Sequence, residues 1–315
     1  MSIASALVKE IIFVSISLYH IPTTQTFRRS FPHSTSRWIS RSFSARPAMT
    51  IPSSKIRAPW RDVFDSHFNK TPDYDFTIAT VGYDTSGCPV PRVRTCGFRG
   101  FFPELELHPN GRKDMAQQVE DAGNPPIYES DMLTFTTDIR MEKLGQIQSS
   151  GNAIEAMFWL KDLKVQWRIK GKAYPIGDPN GKENTGECIS QEAIKPGLRL
   201  KTRDDLAKWT WEKAVTKYFA NHSPTMRGSF RNPSPGKPRS QTPDNPDLQF
   251  GQRVTDLHDP IARANFRVVV IVPEEVEHLD VSDLDDARRR SWKLVKHSHL
   301  ESQSDSLWVE TELWP

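Results

Sequence analysis

Two pairs of strand-like runs, each joined by a connection too short for a crossover, set the first limit on how this chain folds. Residues 76–83, rich in β-branched side chains, lead through the turn Asp84-Thr85-Ser86-Gly87 into a second run at 90–101. Residues 153–160 turn at Lys161-Asp162-Leu163 into a run at 164–176. Parallel neighbours need a connection of a dozen or more residues, so both pairs are expected to be antiparallel hairpins. No Gly-x-Gly-x-x-Gly joins a strand to a helix, which argues against a dinucleotide-binding βαβ unit.

Around the hairpins the periodicity changes. The fold is expected to open at Ala58-Pro59 with a helix, because Trp60, Phe64 and Phe68 recur at a spacing of four. A strand at 132–136 and a short helix through Lys143 and Ile147 separate the hairpins. Residues 103–126 and 177–200 carry Pro, Gly and charge without periodicity, whereas 204–219 places Leu206, Trp209, Ala214 and Phe219 on a helical stretch. Residues 223–260 read as a Pro-rich extended excursion. The apolar run 266–272 has the length of a buried strand, 282–290 reads as a charged insertion, and 294–297 and 307–314 supply two final strands. The expected class is mainly β with flanking helices, an α+β domain over residues 56–315.

The N-terminal stretch has another composition. Between Glu10 and Asp62 there is no acidic residue, while Arg28, Arg29, Arg37, Arg41 and Arg46 alternate with Ser and Thr. That is the pattern of a mitochondrial transit peptide, so residues 1–55 are set apart as a targeting or extended segment. If translation starts at Met49, a cytoplasmic protein is expected instead; a secretory signal is weakened by the missing small-residue cleavage site after Tyr19. The apolar run 11–19 is shorter than the roughly 18–20 residues of a bilayer-spanning helix.

The chain has 42 basic and 39 acidic residues, a net charge of +3 concentrated at the N-terminus, which excludes a globally basic nucleic-acid surface. Cys88, Cys96 and Cys188 form no CxxC pair and no zinc-ligand spacing. The nine histidines are scattered, and neither a Ser/His/Asp order nor a His-Glu-x-x-His helix supports hydrolysis.

Basic side chains recur on the strands in three clusters. They are Arg92-Val93-Arg94-Thr95-Cys96-Gly97-Phe98-Arg99-Gly100, then Thr136-Thr137-Asp138 with Lys143, then Gln166-Trp167-Arg168-Ile169-Lys170-Gly171. Period two puts Arg92, Arg94 and Cys96 on one face and Arg99 on the other, unless a bulge at Gly97 re-aims it. Such cations read either as a solvated edge or as a phosphate site. A phosphate monoester carries nearly two negative charges near neutral pH; Arg meets it with a bidentate fork and Lys with a point charge.

The order of these clusters resembles that of the pyridoxamine 5'-phosphate oxidase-like FMN-binding family over residues 58–175. Arg94 with Arg99-Gly100 matches the family's Arg-x-x-x-x-Lys/Arg-Gly strand, Phe135-Thr136-Thr137-Asp138 with Lys143 its next strand end and helix start, and Gln166 through Gly171 its Gln-x-Arg-x-x-Gly strand. Met141 stands where the family has serine. Ser223-Pro224-Thr225-Met226-Arg227 and Pro233-Ser234-Pro235-Gly236 resemble a less characterised branch, with 200–315 as its C-terminal extension.

The resemblance implies a six-stranded antiparallel FMN-binding split β-barrel. It also implies FMN contacts from Arg94, Thr95, Arg99, Thr136, Thr137, Lys143, Gln166 and Arg168, with the phosphate gripped by Arg94, Arg99 and Lys143. The family builds each flavin site between two barrels, so a homodimer is implied, with Gln166 reaching the ring across the interface. Trp308 either borders the flavin or fills the core.

The implied activity is FMN-dependent oxidoreduction with a small-molecule electron donor. The family's Arg-Leu-His-Asp-Arg tail motif is missing; Leu257-His258-Asp259 echoes part of it but precedes the strand at 266–272 instead of following it. Pyridoxamine phosphate is therefore not the default substrate. Two alternatives stay open: a flavin-binding sensor or redox partner without turnover, and haem binding on the same barrel.

Overall fold

The computed structural model describes residues 56–71, 74–120, 123–177, 184–243, 245–296 and 306–315, all within one compact unit. Residues 1–55, read as a transit peptide, and the apolar run 11–19 within them lie outside the described residues.

Helix α1 (Arg61–Phe68) follows Pro59 and buries Trp60 and Phe64 completely. The hairpin β1 (Asp75–Tyr83) and β2 (Pro89–Phe101) forms where expected. Its turn is held by the Asp84 carboxylate, which accepts from the backbone N–H of Ser86 at 2.8 Å and of Cys88 at 2.9 Å. Gly87 supplies the positive φ of +78° the turn needs.

Strand β4 (Leu133–Asp138), which follows the two-residue β3 (Tyr128–Glu129), pairs with β2. After helix α3 (Glu142–Ser149), β5 (Ala153–Leu160) and β6 (Val165–Ile176) make the second hairpin. Strand β8 (Phe266–Asp280) then pairs with both β4 and β6. The order β4-β2-β1-β5-β6-β8 thus closes on itself as a six-stranded antiparallel barrel. The far half of β8 also carries β9 (Arg288–Lys296), and β10 (Ser306–Leu313) pairs with β9.

Closure depends on one glycine. The β6–β8 register shifts between Lys170 and Gly171, and a Cβ at Gly171 would stand 2.1 Å from the Val272 carbonyl oxygen. No side chain fits that approach.

Strand β8 is buried on both faces, which explains its unbroken apolar start. Val269, Ile271 and Val276 face the barrel interior with Phe64, Phe76, Phe98, Phe135, Phe158 and Trp167. Val268 and Val270 face an outer layer with Phe102, Met115, Tyr218, Phe219 and Phe266. That layer is built by α2 (Pro109–Gln118) and α5 (Trp211–Ala220).

Several expectations are corrected. Helices α2 and α4 (Asn184–Ile194) occupy stretches that lack apolar periodicity. The helical stretch 204–219 is continuous only from Trp211, because Thr210 is extended and its hydroxyl caps the helix by accepting from the Lys213 N–H at 3.1 Å. Strand β8 runs on to Asp280, since Val276 and His278 keep alternating inward after Pro273. The stretch read as a charged insertion ends early, because β9 already begins at Arg288. Within 223–260, which reads as extended, Pro224–Gly228 forms the short helix α6. Ser223 caps it by accepting from the Met226 N–H at 3.2 Å.

Candidate functional site

A cavity of about 930 Å³ opens beside the barrel between β2, the end of β4, the start of α3, and a Pro-rich strap that follows α6. Thr95, Gly97 and Arg99 line it from β2, Thr136, Thr137 and Asp138 from β4, and Lys143 from α3. Phe230, Asn232, Lys237, Arg239 and Phe250 line it from the strap side.

Arg99 reaches this wall by plain alternation with Thr95 and Gly97, and the bulge in this strand is not at Gly97. Phe98 pairs with Phe135 and Phe101 with Leu133, so β2 carries one extra residue between them. Gly100 sits there at φ +80°, a conformation that glycine adopts without strain. Arg99 stays on the face opposite Arg94, and its guanidinium folds back over Gly97, where a Cβ would be 3.6 Å from Nη2.

The wall is electrostatically one-sided. Its acidic residue, Asp138, is consumed by Arg140, whose Nη2 and Nε donate to the carboxylate at 2.6 and 2.9 Å. The backbone N–H of Arg140 adds a third bond at 2.8 Å. Arg99 Nε is buried with no acceptor. Burial pushes the Arg99 guanidinium below its ordinary pKa, and Asp75 offsets this only in part. Lys143 Nζ meets neutral groups, the Thr137 hydroxyl at 2.9 Å and the Met141 sulfur at 2.7 Å. Burial lowers its pKa, and the nearby Arg94 cation adds to the effect.

Met141 is the N-cap of α3 and offers no side-chain cap. The helix's first amides and the positive end of its dipole are thus left without the hydroxyl partner that serine would provide. A buried guanidinium without acceptor, a desolvated lysine and an uncapped helix start fit a phosphate monoester.

Arg94 is not on the cavity wall. It faces inward and donates to the Thr80 hydroxyl at 2.6 Å and to Gln146 Oε1 at 2.7 Å. It therefore ties α3, and with it Lys143, to the hairpin. Gln166 and Arg168 lie on the outer face of β6, away from the cavity of a single chain. Arg168 is bound by Glu155 at 2.7 Å and Glu277 at 3.3 Å. Trp308 packs edge-on against Trp60 at 6.0 Å between ring centroids, partly buried against the barrel core.

The structure adds His222, which no sequence signal singled out. It follows α5, is buried, and its Nε2 shares a 2.9 Å hydrogen bond with the Thr136 hydroxyl at the cavity wall. Burial, followed by the Arg99 charge, pushes it down to about 3, so the ring is neutral at physiological pH. Among the described residues no group of three or more His, Cys, Asp or Glu side chains is placed to hold a metal. No described helix is long and apolar enough to cross a membrane.

Residues 57–177 match the family model described as pyridoxamine 5'-phosphate oxidase, FMN-binding domain. Among solved structures, the chain is similar to a pyridoxamine 5'-phosphate oxidase-related, FMN-binding protein of Nostoc punctiforme, with 20% identity and a TM-score of 0.48, covering 82% of this chain and 98% of that one. PhzG of Burkholderia lata, solved with tetrahydrophenazine-1-carboxylic acid, aligns at 13% identity and a TM-score of 0.40, covering 81% and 89%. A protein related to general stress protein 26 from Clostridium acetobutylicum aligns at 8% identity and 0.32, covering 74% and 94%. No curated protein matches.

Proposed function

Because residues 57–177 belong to the FMN-binding domain family of pyridoxamine 5'-phosphate oxidases, we propose that the chain is an FMN-dependent oxidoreductase whose flavin phosphate sits against Arg99, Lys143 and the start of α3. The observation that carries this reading is the buried, acceptor-free Arg99 Nε beside an uncapped helix start.

When bound, FMN supplies two-electron hydride chemistry. The protein's part is to bind and to orient. Arg99 and Lys143 hold the phosphate, and Arg94 fixes the helix that carries Lys143. Neutral His222 orients the Thr136 hydroxyl at the wall, while Phe230 and the prolines of the strap exclude water. Asp138 is held by Arg140, and His222 is depressed to about 3 and engaged by Thr136, so neither stands ready as a general base. That favours direct hydride transfer, and it equally supports a second reading, a flavin carrier without turnover.

We also propose a homodimer. The outer face of β1, β2, β5 and β6 exposes Val93 (66%) and Trp159 (38%) beside Ala79, Val81 and Met157, with Gln166 paired to Trp159 in register. An apolar sheet face of this kind favours association.

The test is to purify the full chain, record its visible spectrum, and compare affinities for FMN and riboflavin. FMN is expected to bind tightly and riboflavin weakly. A protein that takes up neither refutes the cofactor site, and a haem spectrum replaces it. Peroxide release on adding pyridoxamine phosphate under air separates an oxidase of that amine from the other readings. Sedimentation of the wild type and of Trp159→Glu tests the dimer, which the variant is expected to dissociate.

A further inference from the structure

The cavity holds more positive charge than a flavin phosphate uses, and the surplus sits on a different element. Arg99 and Lys143 belong to the barrel side and together match the nearly two negative charges of a phosphate monoester. Lys237 and Arg239 line the same cavity from the strap. Lys237 donates its backbone N–H to the Ser234 carbonyl at 3.4 Å, but neither side chain has a hydrogen-bond or ion-pair partner among the described residues, and the cavity's acidic residue is already bound to Arg140. The volume of about 930 Å³ lies at the upper end of the roughly 300–1,000 Å³ typical of small-molecule sites, which leaves room for a second molecule beside a cofactor.

The strap is held in place. Arg140 Nη1 donates to the Asn232 carbonyl at 2.9 Å, and Asn265 Nδ2 to the Phe230 carbonyl at 2.8 Å. Further along, a Cβ at Gly228 would stand 1.9 Å from the Gln252 carbonyl oxygen, so the two ends of the segment touch. Pro235, Pro238 and Pro243 fix φ around the two cations and limit the entropy lost when a ligand binds. Phe230, Leu248 and Phe250 flank them with apolar surface.

We infer that Lys237 and Arg239 form an anion subsite for the substrate, and that the substrate is an organic anion, a carboxylate or a phosphate, with an apolar body that packs on Phe230, Leu248 and Phe250. This inference rests on the cofactor reading above. It assigns the barrel-side cations to FMN and the strap-side cations to substrate.

The full chain loaded with FMN is titrated with benzoate, phenyl phosphate and benzamide, and the shift in the bound flavin's visible spectrum reports binding. At least one anion is expected to bind ten-fold or more tightly than neutral benzamide, and the tighter of the two names the anionic group. The double variant K237A/R239A is expected to lose ten-fold or more of that anion affinity, with benzamide binding and FMN retention unchanged. Both side chains are exposed, so the variant keeps the core intact.

Anion binding that survives in the double variant overturns the inference, as does equal binding of anions and benzamide. A double variant that loses FMN but not riboflavin also overturns it, because the strap cations then serve the cofactor phosphate. If the wild type takes up no flavin, the cofactor reading fails and the subsite falls with it.

Discussion

Two groups of basic side chains lie on this molecule, and they differ in their company. Along β5, β6, β8 and β9 every named cation has a carboxylate: Arg168 meets Glu155 and Glu277, Arg289 meets Glu277 at 2.6 Å, and Lys293 meets Glu275 at 3.3 Å. Arg61, buried at the first position of α1, meets Asp65 at 3.0 Å and Asp131 at 3.6 Å. Around the cavity, Arg99 and Lys143 form no ion pair among the described residues, and Asp75 acts on Arg99 only through its charge. Burial pulls down the pKa of both kinds; at Arg168 the hydrogen bond and charge of Glu155 more than reverse it, whereas at the more deeply buried Arg61 the depression survives its carboxylates, as it does at Arg99 and Lys143. Arg168, Arg289, Lys293 and Arg61 thus carry their counter-charge, whereas Arg99 and Lys143 lie desolvated without one, as the proposed phosphate site requires.

The contrast is broken most forcefully at Arg61. Arg61→Ala removes the buried guanidinium shared by Asp65, Asp131 and the Ser130 carbonyl, leaving Arg57 on Asp65 and Arg199 on Asp131, and is expected to cost about 3 kcal/mol in chemical denaturation. A loss below about 1 kcal/mol would place Arg61 with exposed surface ion pairs.

Acid probes the neutral buried groups next. His278 packs 4.5 Å from Trp167 and 5.3 Å from His67, and faces Asp280 and Arg290. Burial, then His67, pushes it from 6.5 down to about 4. The unfolded chain therefore takes up the proton first. Its stability contribution is complete above about pH 6.5 and is lost as the pH falls towards 4, on the order of 3 kcal/mol. His278→Phe is expected to remove that part of the acid slope, and an unchanged slope would assign it to other groups.

At the cavity the expected sign reverses. Arg99→Ala and Lys143→Ala should each weaken FMN by about 1.5–3 kcal/mol, roughly ten- to hundred-fold by calorimetry, while the stability of the flavin-free protein stays level or rises. Riboflavin binding, which lacks the phosphate, should not change. The smallest effect is expected at Arg168, half-exposed and paired: Arg168→Ala should cost at most about 1 kcal/mol of stability. A large loss of FMN in that variant would instead show that Arg168 contacts the cofactor, as the family resemblance implies.

What the sequence disclosed follows the range of the interactions involved. The hairpins were legible because alternation and turn chemistry are local: Phe76, Ile78 and Thr80 point inward, and Asp84 closes the turn. Helix α2 was hidden because it buries only Gly111 and Met115, the glycine because a Cβ there would stand 2.7 Å from the Ala220 carbonyl.

The site was half legible. The three cationic clusters could be placed on strands, but Glu277 lies 109 residues from Arg168, so spacing alone could not sort paired cations from free ones. Period two put Arg99 on the face opposite Arg94, but spacing did not show that the cavity lies on that face. His222 and the strap reach the cavity only through tertiary packing, and the strap's prolines gave no sign of what they would cover.

Strand β8 gives the barrel a particular birth order. The segment 57–177 supplies β1, β2, β4, β5 and β6, yet the sheet stays open until Phe266–Asp280 arrives to pair with both β4 and β6. During synthesis from the N-terminus, five strands therefore leave the ribosome with two bare edges and an unsealed aromatic interior, exposed to chaperones and to each other on neighbouring polysomes. A message cut short before that strand would leave a sticky fragment instead of a smaller flavoprotein.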